Sequence, residues 1–165
     1  MNHVTKLINE MITYFTGDAK RINHFIKVHS FAKIIMELEE IDSEMHDIIE
    51  VAALTHDIGI KVCEEKYNTC SGKYQEIMGP AVAKKLLMEI GYDESLVERV
   101  CYLVGHHHTY TNIDGVDYQI LVEADLLVNI YEEMIPTEEV VNIKETIFKT
   151  KTGIRLLEEL FLSSN

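Results

Sequence analysis

Apolar residues recur at three- and four-residue intervals along nearly the whole chain, and strand-like alternation is almost absent. Ile22, Phe25, Ile26 and His29 lead on to Ala32 and Met36. Met45, Ile48, Ile49, Ala52 and His56 make a second stripe, and Leu121, Ala124, Val128 and Tyr131 a third. Such stripes leave water only by packing helix against helix. The expected fold is all-α, a single-domain bundle of about seven helices. The spacing predicts helices over Asn2–Phe15, with Gly17-Asp18 ending it and offering an N-cap, and over Asp18–Glu39. Others are expected over Ser43 to about Asp57, with Gly59 as a stop, over Asp93 to about His106, and over Asp117–Met134. Thr137–Leu162 holds one or two more. Pro80 fits the first turn of a helix that reaches Ile90, with Gly91 after it. Ile60–Tyr74 has no clear period and reads as a long loop, and Thr109–Gly115 as a polar one.

The 165 residues suit one domain, 1–165, with a core over about 18–134 and the helices of 137–162 packed on it. Two prolines, no Ser/Gly/Pro-rich linker and no internal repeat support that division. A content of 47% hydrophobic and 26% charged residues is globular, not disordered. No apolar run approaches the roughly 20 residues of a membrane span, and the N-terminus lacks a signal-peptide pattern, so a cytoplasmic location and no membrane partner are expected. Three cysteines at scattered spacing, with no C-x-x-C pair, argue against a disulfide framework or a structural zinc site. The net charge of −13 repels nucleic-acid phosphates. A small anion stays within reach if a bound cation reverses the local field.

Four features carry chemistry. His56 closes an apolar stripe and Asp57 follows it; a buried ionised aspartate is costly unless paired or bound to metal. Asp125 lies on a core stripe between Leu121 and Val128, where it needs a metal or an Arg or Tyr partner. Glu123 is expected to face solvent. His24 and His29 sit on different faces of one helix, and periodicity does not choose between them. His106, His107 and His108 are consecutive and cannot all face one point, though two neighbours at a fraying helix end could.

In order and spacing these features resemble the HD-domain superfamily of metal-dependent phosphohydrolases. The resemblance runs from Arg21 to Glu132. It rests on Arg21-x-x-His24-x-x-x-Val28-x-x-x-Ala32, on Ala52-Ala53-Leu54-Thr55-His56-Asp57-Ile58-Gly59, and on Glu123-Ala124-Asp125-Leu126-Leu127. It implies an all-α bundle with a divalent metal (Mn, Fe, Co, Ni, Zn or Mg) held by His24, His56, Asp57 and Asp125, with His29 as a second candidate for the first ligand. The chain departs from several branches. Ile60 and Lys61 stand where alarmone hydrolases carry a Glu-Asp pair, and HD-type 5′-nucleotidases keep a glutamate at the place of Ile60. The Gly-Tyr-Pro segment of cyclic-dinucleotide phosphodiesterases is missing. Members with two metals place a histidine where this chain has Gln75, four residues before Gly79, so a second metal is one ligand short.

The resemblance therefore implies a metal-dependent phosphohydrolase, a phosphomonoesterase or phosphodiesterase, acting on a small phosphorylated metabolite such as a nucleotide. Asp57 would orient the attacking water as well as ligate. Arg21, one turn before His24, together with Lys61 and Lys73, would flank the phosphate, and His106 or His107 would touch it or shuttle a proton. The Ile60–Tyr74 segment would act as a lid. Two rivals are a regulatory module that binds metal and nucleotide without turnover, and a di-iron oxygenase, which Gln75 disfavours. The C-terminal helices would pack within the monomer or form a homodimer face.

Overall fold

A computed structural model describes residues 2–163. Its elements in chain order are α1 (His3–Tyr14), α2 (Ala19–Leu38), a short 3-10 turn (Ser43–Met45), α3 (His46–Thr55), α4 (Gly59–Tyr67), α5 (Gly72–Ile90), α6 (Glu94–Val104), α7 (Val116–Glu132), α8 (Thr137–Thr146) and α9 (Lys151–Leu157), with a π-helical turn over Glu158–Leu162. Among the described residues there is no strand, and no helix is long and apolar enough to cross a membrane.

Two helices are apolar nearly all round, and they form the centre. α3 buries every residue from Val51 to Thr55, and α7 buries every residue from Asp117 to Val128 except Gln119. α2 packs on both, α1 and α6 close over α3, and α5 covers α6. Side-chain caps set the starts: Asn2 accepts from the Val4 amide, Asp18 from Arg21 and Ser71 from Tyr74.

The structure differs from the sequence expectation in the segment read as a loop. Most of Ile60–Tyr74 is helical: α4 runs to Tyr67, and α5 begins at Gly72 behind the Ser71 cap. α4 buries only Gly59, Ile60 and Cys63, a face too short to register as a period. Gly59 therefore starts a helix instead of stopping one, and its need for glycine is steric. A β-carbon there would lie 2.8 Å from Gly79 N and 2.9 Å from Gln75 O, so α4 and α5 touch backbone to backbone. Pro80 consequently lies inside α5 and not in its first turn.

Glu123 is also a correction: it is fully buried, not solvent-facing. Its Oε1 accepts from the amides of Lys149 (2.6 Å) and Thr150 (3.0 Å), just ahead of α9. Glu39 Oε1 accepts from the Thr152 amide at 2.6 Å. Two carboxylates thus satisfy the N–H groups at the start of α9 and tie the C-terminal helices to α7 and α2.

Candidate metal centre

α2 contributes His24, the turn after α3 contributes His56 and Asp57, and α7 contributes Asp125. His24, His56 and Asp57 form one compact donor group, and Asp125 approaches both of its histidines. His24 Nε2 lies 3.1 Å from His56 Nε2, 3.3 Å from Asp57 Oδ2 and 3.2 Å from Asp125 Oδ1. His56 Nε2 lies 3.4 Å from Asp57 Oδ2 and 3.5 Å from Asp125 Oδ1. A cation about 2.1 Å from each donor spaces neighbouring donors about 3.0 Å apart in octahedral and about 3.4 Å in tetrahedral geometry. The observed separations match that range.

The hydrogen bonds behind the rings sharpen the point. His56 Nδ1 donates to Ala53 O at 2.8 Å, and His24 Nδ1 donates to Glu132 Oε2 at 2.9 Å. Each neutral ring then turns the lone pair of Nε2 inward. Two lone pairs and two carboxylate oxygens facing one another in a buried site repel unless positive charge sits among them. A proton or a metal ion can supply it, and the mixed nitrogen and oxygen set suits a divalent first-row metal. His29 is elsewhere: its Nε2 hydrogen-bonds Glu50 Oε2 at 2.7 Å, between α2 and α3, and Lys33 approaches the other Glu50 oxygen.

A second donor group adjoins the first and comprises Asp57, His107 and His108. His107 Nδ1 donates to Val104 O at 2.8 Å, so Nε2 presents a lone pair 3.4 Å from Asp57 Oδ1. That Nε2 is buried with no hydrogen-bond partner, as expected for a ligand atom. His106, named from sequence alongside His107, is not part of this group. Its Nδ1 donates to Tyr102 O at 2.7 Å and its ring stacks on Tyr102. His108 takes its place, because the chain leaves α6 at Gly105 and the turn carries 107 and 108 inward. His108 Nε2 donates to Gln75 Oε1 at 3.0 Å. Burial, reinforced by His107, pushes the His108 pKa down to about 4, so its ring is neutral near pH 7.

Burial disfavours charge on His56, but Asp57 and Asp125 outweigh it and hold its pKa well above the ordinary value. Burial likewise opposes ionisation of both aspartates, yet His56, with His107 for Asp57 and His24 for Asp125, holds their carboxyls well below the usual range. A raised histidine pKa stabilises the fold below the unfolded value and loses that stabilisation as pH rises through the folded value. The depressed aspartates stabilise above their unfolded value and lose the effect as pH falls through the folded ones. A metal replaces the His56 proton, so its binding strengthens as pH rises. The melting-temperature gain from saturating Mn²⁺ is expected to widen from about pH 6 to about pH 9. A constant gain across that range contradicts the proton–metal exchange.

A cavity of about 320 Å³ opens onto His24, Asp57 and Asp125, with Gln75 and His108 also in its wall. Arg21 lines it, but its guanidinium is engaged by Asp18 at 2.6 Å and by Glu64 at 2.5 Å. Lys61 does not line it: α4 turns its Nζ to Tyr14 O at 3.0 Å and over the Tyr14 ring. Lys73, exposed in the first turn of α5, is not in the wall either. From sequence, Lys61 is expected near the phosphate because it follows the His-Asp pair, and Lys73 because it lies in a stretch that reads as a loop; the direction of α4 and the start of α5 at Gly72 take both out of the wall. The sequence pattern passes over Lys20, which is exposed in the cavity wall and, among the described residues, forms no ion pair. It also passes over Asn129, whose Nδ2 donates to Asp125 Oδ1 at 3.0 Å; spacing alone offers one clue, the one-turn separation from Asp125.

A search of curated proteins returns no match. Among solved structures, the chain is similar to the crystal structure of a predicted HD superfamily hydrolase from an uncultured Thermotogales bacterium. The two share 28% identity at a TM-score of 0.70, over 95% of this chain and 84% of that one. The family model described as HD domain matches residues 21–143. That span contains all four converging side chains and most of the helices that hold them, and the chain belongs to the HD-domain family.

Proposed function

We propose that this protein is a metal-dependent phosphohydrolase acting on a small phosphorylated metabolite. The observation that carries the reading is that His24 and His56 face each other at 3.1 Å, with Asp57 and Asp125 each 3.2–3.5 Å from both Nε2 atoms, beneath an open cavity. A divalent cation held by these four would lower the pKa of a bound water and offset charge on a phosphoryl oxygen. The similarity to a structure described as a predicted HD superfamily hydrolase agrees with this reading.

The chain's own groups supply the rest. Asp57 spans both donor groups, Oδ2 facing His24 and His56 and Oδ1 facing His107, so it can orient a water between them. His108, neutral near pH 7 and donating Nε2–H to Gln75, keeps Nδ1 as an acceptor for a hydrogen bond from a bound water. Lys20 is the uncommitted cation for a phosphate at the cavity mouth. Arg21 reaches the same phosphate by giving up its exposed pair with Glu64, at a cost of about 1 kcal/mol or less. Glu132 and Glu133 share the wall, and their charge favours a substrate with one phosphate over a polyphosphate.

A regulatory reading, metal and nucleotide bound without turnover, has one specific support: buried Ile60 and outward-turned Lys61 leave no acid immediately after the His-Asp pair. One experiment separates the two. Protein stripped with chelator and reloaded with Mn²⁺, Co²⁺, Ni²⁺ or Mg²⁺ is assayed for phosphate release from nucleoside monophosphates, cyclic nucleotides, sugar phosphates and nucleoside triphosphates. The hydrolase reading expects metal-dependent turnover, greater on monophosphates than on triphosphates. Nucleotide binding with no phosphate released by any metal favours the regulatory module.

A further inference from the structure

Three histidine rings turn Nε2 toward the donor groups, and they are not held alike. His56 and His107 each donate Nδ1–H to a backbone carbonyl three residues earlier, Ala53 and Val104, both at 2.8 Å. His24 donates to a side chain from another helix: Glu132 Oε2, at 2.9 Å and 108 residues along the chain. The second oxygen of Glu132 is also occupied, with Lys27 Nζ 2.6 Å from Oε1. Lys27 follows His24 by three residues on α2, so the two donors that grip Glu132 rise from the same face of one helix. Glu132 ends α7 seven residues after Asp125, two turns along the same face. One helix thus brings both an acid of the cluster and the acid behind the opposite histidine.

We infer that Glu132 is a positioning residue for the metal centre, fixing His24 as the Nδ1–H tautomer with Nε2 aimed at the cluster, while Lys27 holds Glu132 in place. A carbonyl can orient a ring, but an ionised carboxylate also makes it a stronger donor to a cation, and removal of such a partner typically costs about 10–100-fold in metal affinity. Among the described residues, Glu132 is the only charged group hydrogen-bonded behind any of the three rings, so His24 is the ligand whose strength the protein tunes most. The inference rests on the metal reading proposed above.

The test is calorimetric titration of Mn²⁺ into chelator-stripped wild type, Glu132→Gln and Glu132→Ala, with ¹⁵N NMR of the imidazoles and melting of the metal-free proteins alongside. The Gln amide oxygen can still accept from Nδ1–H, so E132Q is expected to lose about tenfold in affinity and E132A about 100-fold. E132A should also shift the His24 tautomer away from Nδ1–H, leave His56 and His107 unchanged, and melt close to wild type without metal. Wild-type affinity in both variants with His24 unchanged overturns the assignment alone. Affinity loss that merely follows a collapse in metal-free melting temperature overturns it in favour of a structural role. No Mn²⁺ uptake by the wild-type chain overturns the metal reading and this inference with it.

Discussion

His56→Ala is expected to abolish stoichiometric metal uptake and to cut metal-dependent phosphate release by at least about 10³-fold. The ring is fully buried and lies within 3.5 Å of His24, Asp57 and Asp125, so its loss removes a donor from the middle of the cluster. The substitution also takes from Asp57 and Asp125 the cationic partner that keeps them ionised. Breaking a buried charge pair from one side costs about 3–5 kcal/mol, so the metal-free variant should melt well below wild type. Asp125→Asn separates the two effects. It removes one charge from the cluster, keeps the side-chain volume and relieves carboxylate repulsion, and should therefore lose metal and activity with a smaller loss of stability. Elemental analysis, phosphate release and thermal melting on the two variants check this. Full metal content and full activity in both would sink the reading.

A large and purely structural effect is expected from Gly59→Ala. Its added carbon would meet backbone, at 2.8 Å from Gly79 N and 2.9 Å from Gly79 Cα, and backbone cannot swing aside as a side-chain tip can. α4 and α5 must part, at a cost of about 1–3 kcal/mol or more. For a chain of this size that corresponds to a melting temperature lower by about 2–12 °C. The damage should also reach the cavity, since Gln75, the partner of His108, contributes the other clashing oxygen at 2.9 Å. Gly91→Ala is the comparison: φ there is +103°, but nothing lies within 4 Å of the added carbon. Strain alone should cost about 1–2 kcal/mol, with the cavity untouched. Equal losses in the two variants contradict the close-approach account.

The helices that build the centre are legible because each carries a long apolar stripe, and the order and spacing of His24, His56, Asp57 and Asp125 are what carry the family resemblance in one dimension; their role as metal ligands is a proposal. What escaped was set by partners distant in sequence. α4 hides because its buried face is only Gly59, Ile60 and Cys63, and the tight Gly59–Gly79 contact leaves no periodic trace. Lys61 looked well placed beside the His-Asp pair, yet the direction of α4 carries it to Tyr14. The choice of His107 and His108 over His106 depends on how the chain turns after Gly105. Glu123 reads as a surface acid until the three groups it accepts from around Thr150 are in view. Residues paired across the fold are decided by packing, which local pattern does not record.

Anomalous diffraction from crystals grown with Mn²⁺ looks directly for a cation among the four side chains. The predicted result is an anomalous peak bonded to His24 Nε2, His56 Nε2, Asp57 Oδ2 and Asp125 Oδ1. A peak bound elsewhere, or these four side chains closed on one another with no peak in saturating Mn²⁺, contradicts it.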